Sequence, residues 1–440
     1  MVGGTWVSEN KIRPGAYINV KTNMVESRVS DRGTVALPLV RNWGEASFVS
    51  VSGDSDFLEL LGYEADAAEL MPVRECLKHA QTVKVWSLNN GTQAQATVGG
   101  MTVKAVCGGS RGNDLAVRVV AETTEQEAAT TEYTVSTLLD GKVMDSQRVT
   151  AAADLQKNRW VAFGSGGNLQ NSVQVQLSGG TDGTVELSDY LDFLTAAETE
   201  DFDVMAVDSA LTTVKAAVVT FIKNLREEEG RCVQAVLGDY AEANHEGIIS
   251  VKNGVVLADG TILNNYQTVY WVAGATAGAA ANESNTYALY EGSVDVDERY
   301  LNSEVNAALR EGSFLFTKTA DGAVVEQDIN TFTDFSAEKS SVIRKNRVLR
   351  VLDTLVTDVQ QMFRTYFLGK VNNDTDGRNL FKAQILAYLE ELQAMSAITN
   401  LDKKQDVVIT GGKETDSVVV ELAVMPVDSI EKLYMTVVVS

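Results

Sequence analysis

The sequence predicts an α/β multidomain protein: a mixed α/β core interrupted by an inserted β-sandwich or barrel domain, a C-terminal α+β domain, and extended arms at both termini. Three observations carry this reading. The 440 residues exceed what one hydrophobic core holds, which calls for two to four domains. Helical and strand periods alternate on both sides of residues 91–180, and within that segment the helical period vanishes. From residue 336 onward, one long amphipathic helix leads to a second helix and two strands.

The N-terminal arm, residues 1–23, turns at Arg13-Pro14-Gly15 and then alternates through Ala16-Tyr17-Ile18-Asn19-Val20. That is a short strand with no partner nearby. The first part of the core, residues 24–90, reads as a strand at 35–39, a helix at 65–79 with Pro72 demoting its middle, and a strand at 83–88. In the insert, residues 91–180, β runs at 101–106, 115–120, 133–138, 159–163 and 173–177 are punctuated by glycine pairs such as Gly99-Gly100 and Gly179-Gly180. The main core, residues 181–335, alternates helices (187–197, 210–226, 266–281, 298–311) with strands (202–207, 232–237), which implies a mostly parallel sheet covered by helices. The C-terminal domain, residues 336–440, carries helices at 340–367 and 380–395 around an Asn- and Asp-rich loop at 369–377, and strands at 418–424 and 432–439.

Composition narrows the function. With 45% hydrophobic residues, 22% charged residues and only 4 Pro, most of the chain should be packed. Lys+Arg 37 against Asp+Glu 60 gives a net charge of -23, which argues against nucleic acid or an anionic membrane as the main partner. Cys76, Cys107 and Cys232 form neither a disulfide framework nor a CxxC pair, as expected in a reducing compartment. Residues 1–21 lack the basic and apolar regions of a signal peptide, and the longest apolar stretch, 269–281, is well short of the roughly 20 residues that span a bilayer. A soluble cytoplasmic product is expected.

No constellation commits to an enzyme or a cofactor. Gly108-Gly109-Ser110-Arg111-Gly112 is a formal GxSxG, yet a nucleophile elbow needs a helix after its serine and residues 115–120 read as a strand. A hairpin loop is the better expectation, with His79 at a helix end and His245 in a polar loop the only bases on offer. Residues 179–184 lack the lysine of a phosphate cradle and read as a domain-boundary turn. The acidic runs at 201–203 and 295–298 read as solvated loops. The small residues of Val269-Tyr270-Trp271-Val272-Ala273-Gly274-Ala275-Thr276-Ala277-Gly278 mark a helix packed tightly in the core.

Several segments together resemble the tail sheath proteins of contractile phage tails and related contractile particles. They are Gly3-Gly4-Thr5-Trp6 with Arg13-Pro14-Gly15-Ala16-Tyr17-Ile18-Asn19, the stretch from Val272 to Gly278 followed by Asn282-Glu283-Ser284, and Ile343-Arg344-Lys345-Asn346-Arg347. The order of parts matches too, and the resemblance covers essentially the whole chain. It looks most like the sheaths of phages and defective tails of Gram-positive bacteria.

The resemblance implies a structural subunit that polymerises as stacked hexameric rings around an inner tube and contracts to drive the tube through an envelope. Its implied partners are further copies of itself, the inner tail tube protein, and baseplate and tail terminator proteins, with no cofactor, in a virion assembled in the host cytoplasm. The same subunit would serve a phage-tail-like bacteriocin. A surface adhesin and an α/β hydrolase are the readings from other classes. The arms are expected to add strands to neighbouring subunits, through Tyr17, Ile18, Asn19 and Val20 at one end and Met435, Val437 and Val439 at the other. The insert is expected on the outer surface.

The helix at 340–367 places Val348, Leu352, Leu355, Val359, Met362, Phe363 and Tyr366 on one apolar stripe. Arg347, Arg350 and Arg364, joined by Lys339, fall on the opposite side. That face reads either as solvated with internal ion pairs or as a surface that docks on acidic groups of the tube or of a neighbouring sheath subunit, and on the second reading reversing Arg347 and Arg350 should leave the monomer's stability nearly unchanged while weakening assembly on tubes.

Overall fold

The computed structural model describes residues 2–4, 15–17, 33–122 and 131–439. The chain divides into two compact units, Met1–Ser30 with Asp358–Pro426, and Asp31–Thr357 with Val427–Ser440. At the N-terminus β1 (Val2–Gly4) pairs in parallel with β2 (Gly15–Tyr17). Tyr17 of the expected arm strand therefore has a ladder partner in its own chain, while Ile18, Asn19 and Val20 lie outside the described residues.

The larger unit begins with β3 (Thr34–Val40), β4 (Phe48–Val51), the short helix α1 (Phe57–Leu61), α2 (Met71–Leu77) and β5 (Thr82–Leu88). Pro72 sits at the start of α2, where the missing N–H costs nothing, so it opens the helix instead of weakening its middle. The insert follows as β6 (Gln93–Val98), β7 (Met101–Gly108), β8 (Leu115–Glu122), β9 (Glu132–Leu139), β10 (Lys142–Val149), β11 (Val161–Phe163) and β12 (Ser172–Gln176). They form two sheets, ordered β10-β9-β8-β12 and β11-β7-β6. The strands β6 and β10 carry too many polar residues to announce themselves in the sequence.

The core resumes with α3 (Leu187–Ala197), β13 (Val204–Val207), α4 (Thr212–Glu227), β14 (Gln234–Gly238) and β15 (Ile248–Val251). Then come β16 (Val255–Leu257), β17 (Ile262–Leu263), α5 (Val269–Gly278), β18 (Ser293–Val296), α6 (Asn302–Glu311), β19 (Ser313–Phe314), β20 (Phe316–Lys318) and β21 (Ala323–Val325). Seven strands make the central sheet in the order β19-β15-β14-β13-β3-β5-β4, all parallel except the β4–β5 pair. Every residue of β13, β14 and β15 is buried, as a parallel sheet covered on both faces demands.

Helix α5 shows why its residues are small. A Cβ on Gly274 would stand 2.4 Å from the Cys76 carbonyl oxygen, and one on Gly278 would stand 2.2 Å from that of His79. The glycines let α5 lie directly on α2, and all residues of α5 up to Ala277 are buried.

The helix expected at 340–367 divides in three: a 3-10 turn (Ser341–Arg344), α7 (Asn346–Met362) and a π-helical turn (Phe363–Phe367). In the smaller unit α8 (Thr375–Ala394) starts inside the expected loop, because the Asp374 carboxylate accepts from Gly377 N–H at 2.8 Å and caps it. Four short strands complete this unit, β22 (Ile398–Thr399), β23 (Val407–Gly411), β24 (Val418–Leu422) and β25 (Met425–Pro426). Among the described residues β22 pairs with β25 and β23 with β24. The expected strand at 432–439 is not formed: these residues carry no regular secondary structure and join no ladder among the described residues, because no strand there supplies its hydrogen bonds. No helix among the described residues is long and apolar enough to cross a membrane.

Candidate assembly surfaces

The C-terminal arm after Pro426 concentrates exposed apolar side chains. Tyr434 is 90% exposed, Val437 71% and Val439 90%, with Met435 and Val438 similarly bare. An extended β-branched segment of this kind offers both backbone edges and both side-chain faces to another sheet. One residue of the arm departs from the pattern. Glu431 is only 10% exposed at its side chain, although Ile430 beside it is 97% exposed.

Glu431 is held inside the larger unit. Its Oε1 accepts from Thr286 Oγ1 at 3.0 Å, and its Oε2 accepts from Gln327 Nε2 at 2.8 Å and from Lys345 Nζ. Burial alone would raise its pKa, but these three donors outweigh it and hold the carboxyl below its usual range. Lys345 in turn is fixed by a β-bridge to Ile329.

The four basic residues of the expected tube-facing set are not equivalent. Arg350 is 1% exposed: its Nη1 donates to the Glu283 carbonyl at 2.6 Å and its Nη2 lies 3.7 Å from Asp328 Oδ2. It belongs to the interior and not to a solvated face, because the helix turns that side onto the 283–328 segment. Lys339 Nζ is bound to Glu246 Oε1 at 2.6 Å. Arg347 is half-buried, with no hydrogen bond to its Nε among the described residues, and Arg364 is exposed in the π-helical turn. The acids of the helix are interior too. Asp353 pairs with Arg226 through two bonds of 2.8 and 2.9 Å, and Asp358 accepts from Tyr388 Oη at 2.7 Å.

The GxSxG segment is not a hairpin loop, since β7 and β8 lie in different sheets and Ser110–Asp114 is the 3-10 crossover between them. Ser110 is spent on Asp182, which accepts from its N–H at 2.7 Å and its hydroxyl at 2.9 Å. Arg111 lies 4.6 Å from the Tyr63 ring centre, donates to the Gly62 carbonyl at 3.2 Å and pairs with Asp114 and Asp140. Gly109 has φ +110, and a Cβ there would come within 1.9 Å of the Asn42 carbonyl oxygen. The segment is a joint stitching the insert to the loop after β3.

Neither histidine is placed to serve Ser110. His79 Nε2 pairs with Glu291 Oε1 at 3.1 Å. His245 is 4% exposed and not in an open polar loop; its Nδ1 accepts from Gly247 N–H, its Nε2 faces Glu227 at 3.3 Å, and burial pushes its pKa down. The acidic runs are also structural in part: Asp203 Oδ2 accepts from the N–H groups of Gly33 and Thr34, each at 2.9 Å. No group of three His, Cys, Asp or Glu side chains among the described residues is arranged to hold a metal ion.

Sequence reasoning missed the Glu431 site. Nothing local marks one acid in a solvated stretch as buried, and its partners come from residues 286, 327 and 345.

Family models match almost end to end. The N-terminal region of domain III of the tail sheath protein Gp18 matches residues 32–86, and the phage tail sheath protein beta-sandwich domain matches 89–182. The central domain of the phage tail sheath protein matches 183–331, and the phage tail sheath C-terminal domain matches 338–440. This chain belongs to the phage tail sheath protein family. The phage-like element PBSX protein XkdK of Bacillus subtilis (strain 168) is 38% identical over 468 aligned positions, covering 99% of each chain. The crystal structure of the sheath tail protein from Desulfitobacterium hafniense is 43% identical, covers 96% of this chain and 99% of its own, and superposes with a TM-score of 0.84. The helical sheath of the anti-feeding prophage in its contracted state shares the fold at 10% identity, with a TM-score of 0.57 over 97% of this chain and 99% of its own. Sheath proteins are structural and not enzymes, which agrees with a Ser110 committed to a joint. This sheath protein is a component of a phage tail or phage-like particle.

Proposed function

We propose that the protein polymerises into a tail sheath of stacked hexameric rings around an inner tube and that contraction of this lattice drives the tube through a target envelope. The observation that carries the reading is the C-terminal arm. Its apolar residues are exposed and unladdered among the described residues, where β23–β24 and β22–β25 are two-stranded pairs to which a further strand could be added. Beside the start of β24 an apolar cavity of about 100 Å3, lined by Phe363, Phe367, Phe381 and Val418, offers a seat for a side chain of an added strand.

Contact between different patches of identical subunits is heterologous, and where the rotation does not close it propagates as a helix. Each arm contributes modestly. Burying Met435, Val437 and Val439 stabilises by about 1.5–3 kcal/mol apiece, offset by about 1–2 kcal/mol for each backbone residue ordered. The lattice then holds through repetition, and rings can slide without losing their links. Arg347 and Arg364, each on its own unit, remain the basic candidates for contact with the tube, and baseplate and terminator proteins would cap the ends. On this reading the insert would lie on the outer surface, and assembly in the host cytoplasm is in keeping with three free cysteines. Negative-stain microscopy of the purified chain tests the reading: tubes are expected on concentration, and a protein that stays monomeric at all concentrations and salts would overturn it.

A further inference from the structure

The C-terminal arm does not leave the molecule at Pro426, the end of its last strand. It is caught once more at Glu431, five residues on, and becomes bare only afterwards. The catch is built from three segments of the larger unit. Thr286 binds Glu431 while its Oγ1 also accepts from Asp328 N–H at 3.0 Å. Asp328 is 1% exposed and its carboxylate accepts from Asn285 N–H at 3.0 Å and Asn346 Nδ2 at 2.8 Å, with Arg350 beside it. Gln327 and Lys345 complete the cradle. Within the arm, Ser429 Oγ donates to Glu431 Oε1 at 3.2 Å and folds the approach onto the same carboxylate.

We infer that the Glu431 cradle is a mooring that sets the exit point and register of residues 432–439, so that this strand is presented to a second copy of the chain from a fixed place on the core. This rests on the reading of the arm as a donated strand. A carboxylate held by Lys345, Gln327 and Thr286 is an anchor with a direction, because two oxygens with separate donors fix the orientation of the side chain as well as its position. Without it the free arm would begin at Val427, and every residue from there would have to be ordered on docking. With it, residues 427–431 are ordered before the encounter, which is preorganisation of a binding segment. The cradle also gives the interior position of Arg350 a role: the arginine supports Asp328, and Asp328 positions Thr286.

The test uses the full chain as wild type, as Glu431→Ala, and as the exchange of Lys345→Glu with Glu431→Lys, which keeps the pair but reverses it. Critical concentration for polymerisation is read by light scattering with microscopy. Mobility of the arm is read in the unassembled protein from a spin label at Ile430→Cys, with Cys232→Ser in the background because Cys232 is the one cysteine not fully buried. Glu431→Ala should free the label and raise the critical concentration at least about fivefold, the Boltzmann factor for ordering a single backbone residue, while the melting temperature falls by only a few degrees and the core stays folded, because a carboxyl held below its usual range also contributes to the monomer. The exchange should restore both toward wild type. An immobile label in Glu431→Ala, or a freed label with an unchanged critical concentration, overturns the mooring. Failure of the wild type to polymerise overturns instead the donated-strand reading, and the label still reports whether the cradle holds the arm.

Discussion

Reversing Arg350 separates the interior from the surface of the basic helix. In Arg350→Glu a carboxylate replaces a guanidinium that is 1% exposed, 3.7 Å from Asp328 Oδ2 and hydrogen-bonded to the Glu283 carbonyl. Removing one partner of a buried pair costs about 3–5 kcal/mol. The new charge adds repulsion on the order of 4 kcal/mol at roughly 4 Å if the effective dielectric is about 20, before any relaxation. Taking 3 kcal/mol as a floor of roughly that size, and about 2 °C per kcal/mol for a large domain, the melting temperature should fall by at least about 6 °C. Arg347→Glu, half-buried and outside that network, should cost less than about 1 kcal/mol. Circular dichroism melts of the two single variants at equal concentration decide the matter. Equal melting temperatures for Arg350→Glu and wild type would refute the interior placement and restore a uniform basic face.

At the joint of the insert, Gly109→Ala should destabilise by about 1–3 kcal/mol, since it forces a side chain into φ +110 against the Asn42 carbonyl; a chemical denaturation curve reads this, and an unchanged midpoint would count against the joint. Asp182→Ala removes both bonds to Ser110 and should speed proteolysis at the insert boundaries while leaving the core intact, as limited digestion would show. Glu291 accepts from Trp271 Nε1 at 2.6 Å and pairs with His79. Burial alone would raise its pKa, but those bonds outweigh it and bring the value from 4.5 down to about 2. A depressed carboxyl contributes stability above its unfolded pKa and loses it as pH falls through the folded one, so Glu291→Gln should be less stable than wild type at pH 7. The difference should shrink from pH 4.5 toward pH 2, and a gap independent of pH would be the contrary result.

Much of the architecture is legible in the sequence because it rests on local periodicity. The span of α3, the small residues of α5 and the glycine-broken insert all follow from spacing of apolar and turn residues. What escapes the sequence is decided by long-range partners. Arg350 looks like a surface cation until Asp328 and Glu283 are brought to it, and His245 looks solvated until Thr331 and Glu227 enclose it. The strand β10, with Lys142, Asp145 and Arg148, forms because β9 supplies its ladder, not because its own pattern demands it. At the C-terminus the alternation of Met435, Val437 and Val439 predicts a strand, but no partner for it stands among the described residues and the segment forms no ladder.

That unpartnered segment is where self-assembly is most exposed to test. Proline cannot donate to a ladder, so Val437→Pro should leave the monomer untouched, given that Val437 is 71% exposed and makes no ladder bond among the described residues. Side by side under the electron microscope, wild-type protein should form long tubes and Val437→Pro should form none, with melting temperatures equal within error. Tubes of normal length and order from Val437→Pro would contradict strand donation by the C-terminal arm as the link between sheath subunits.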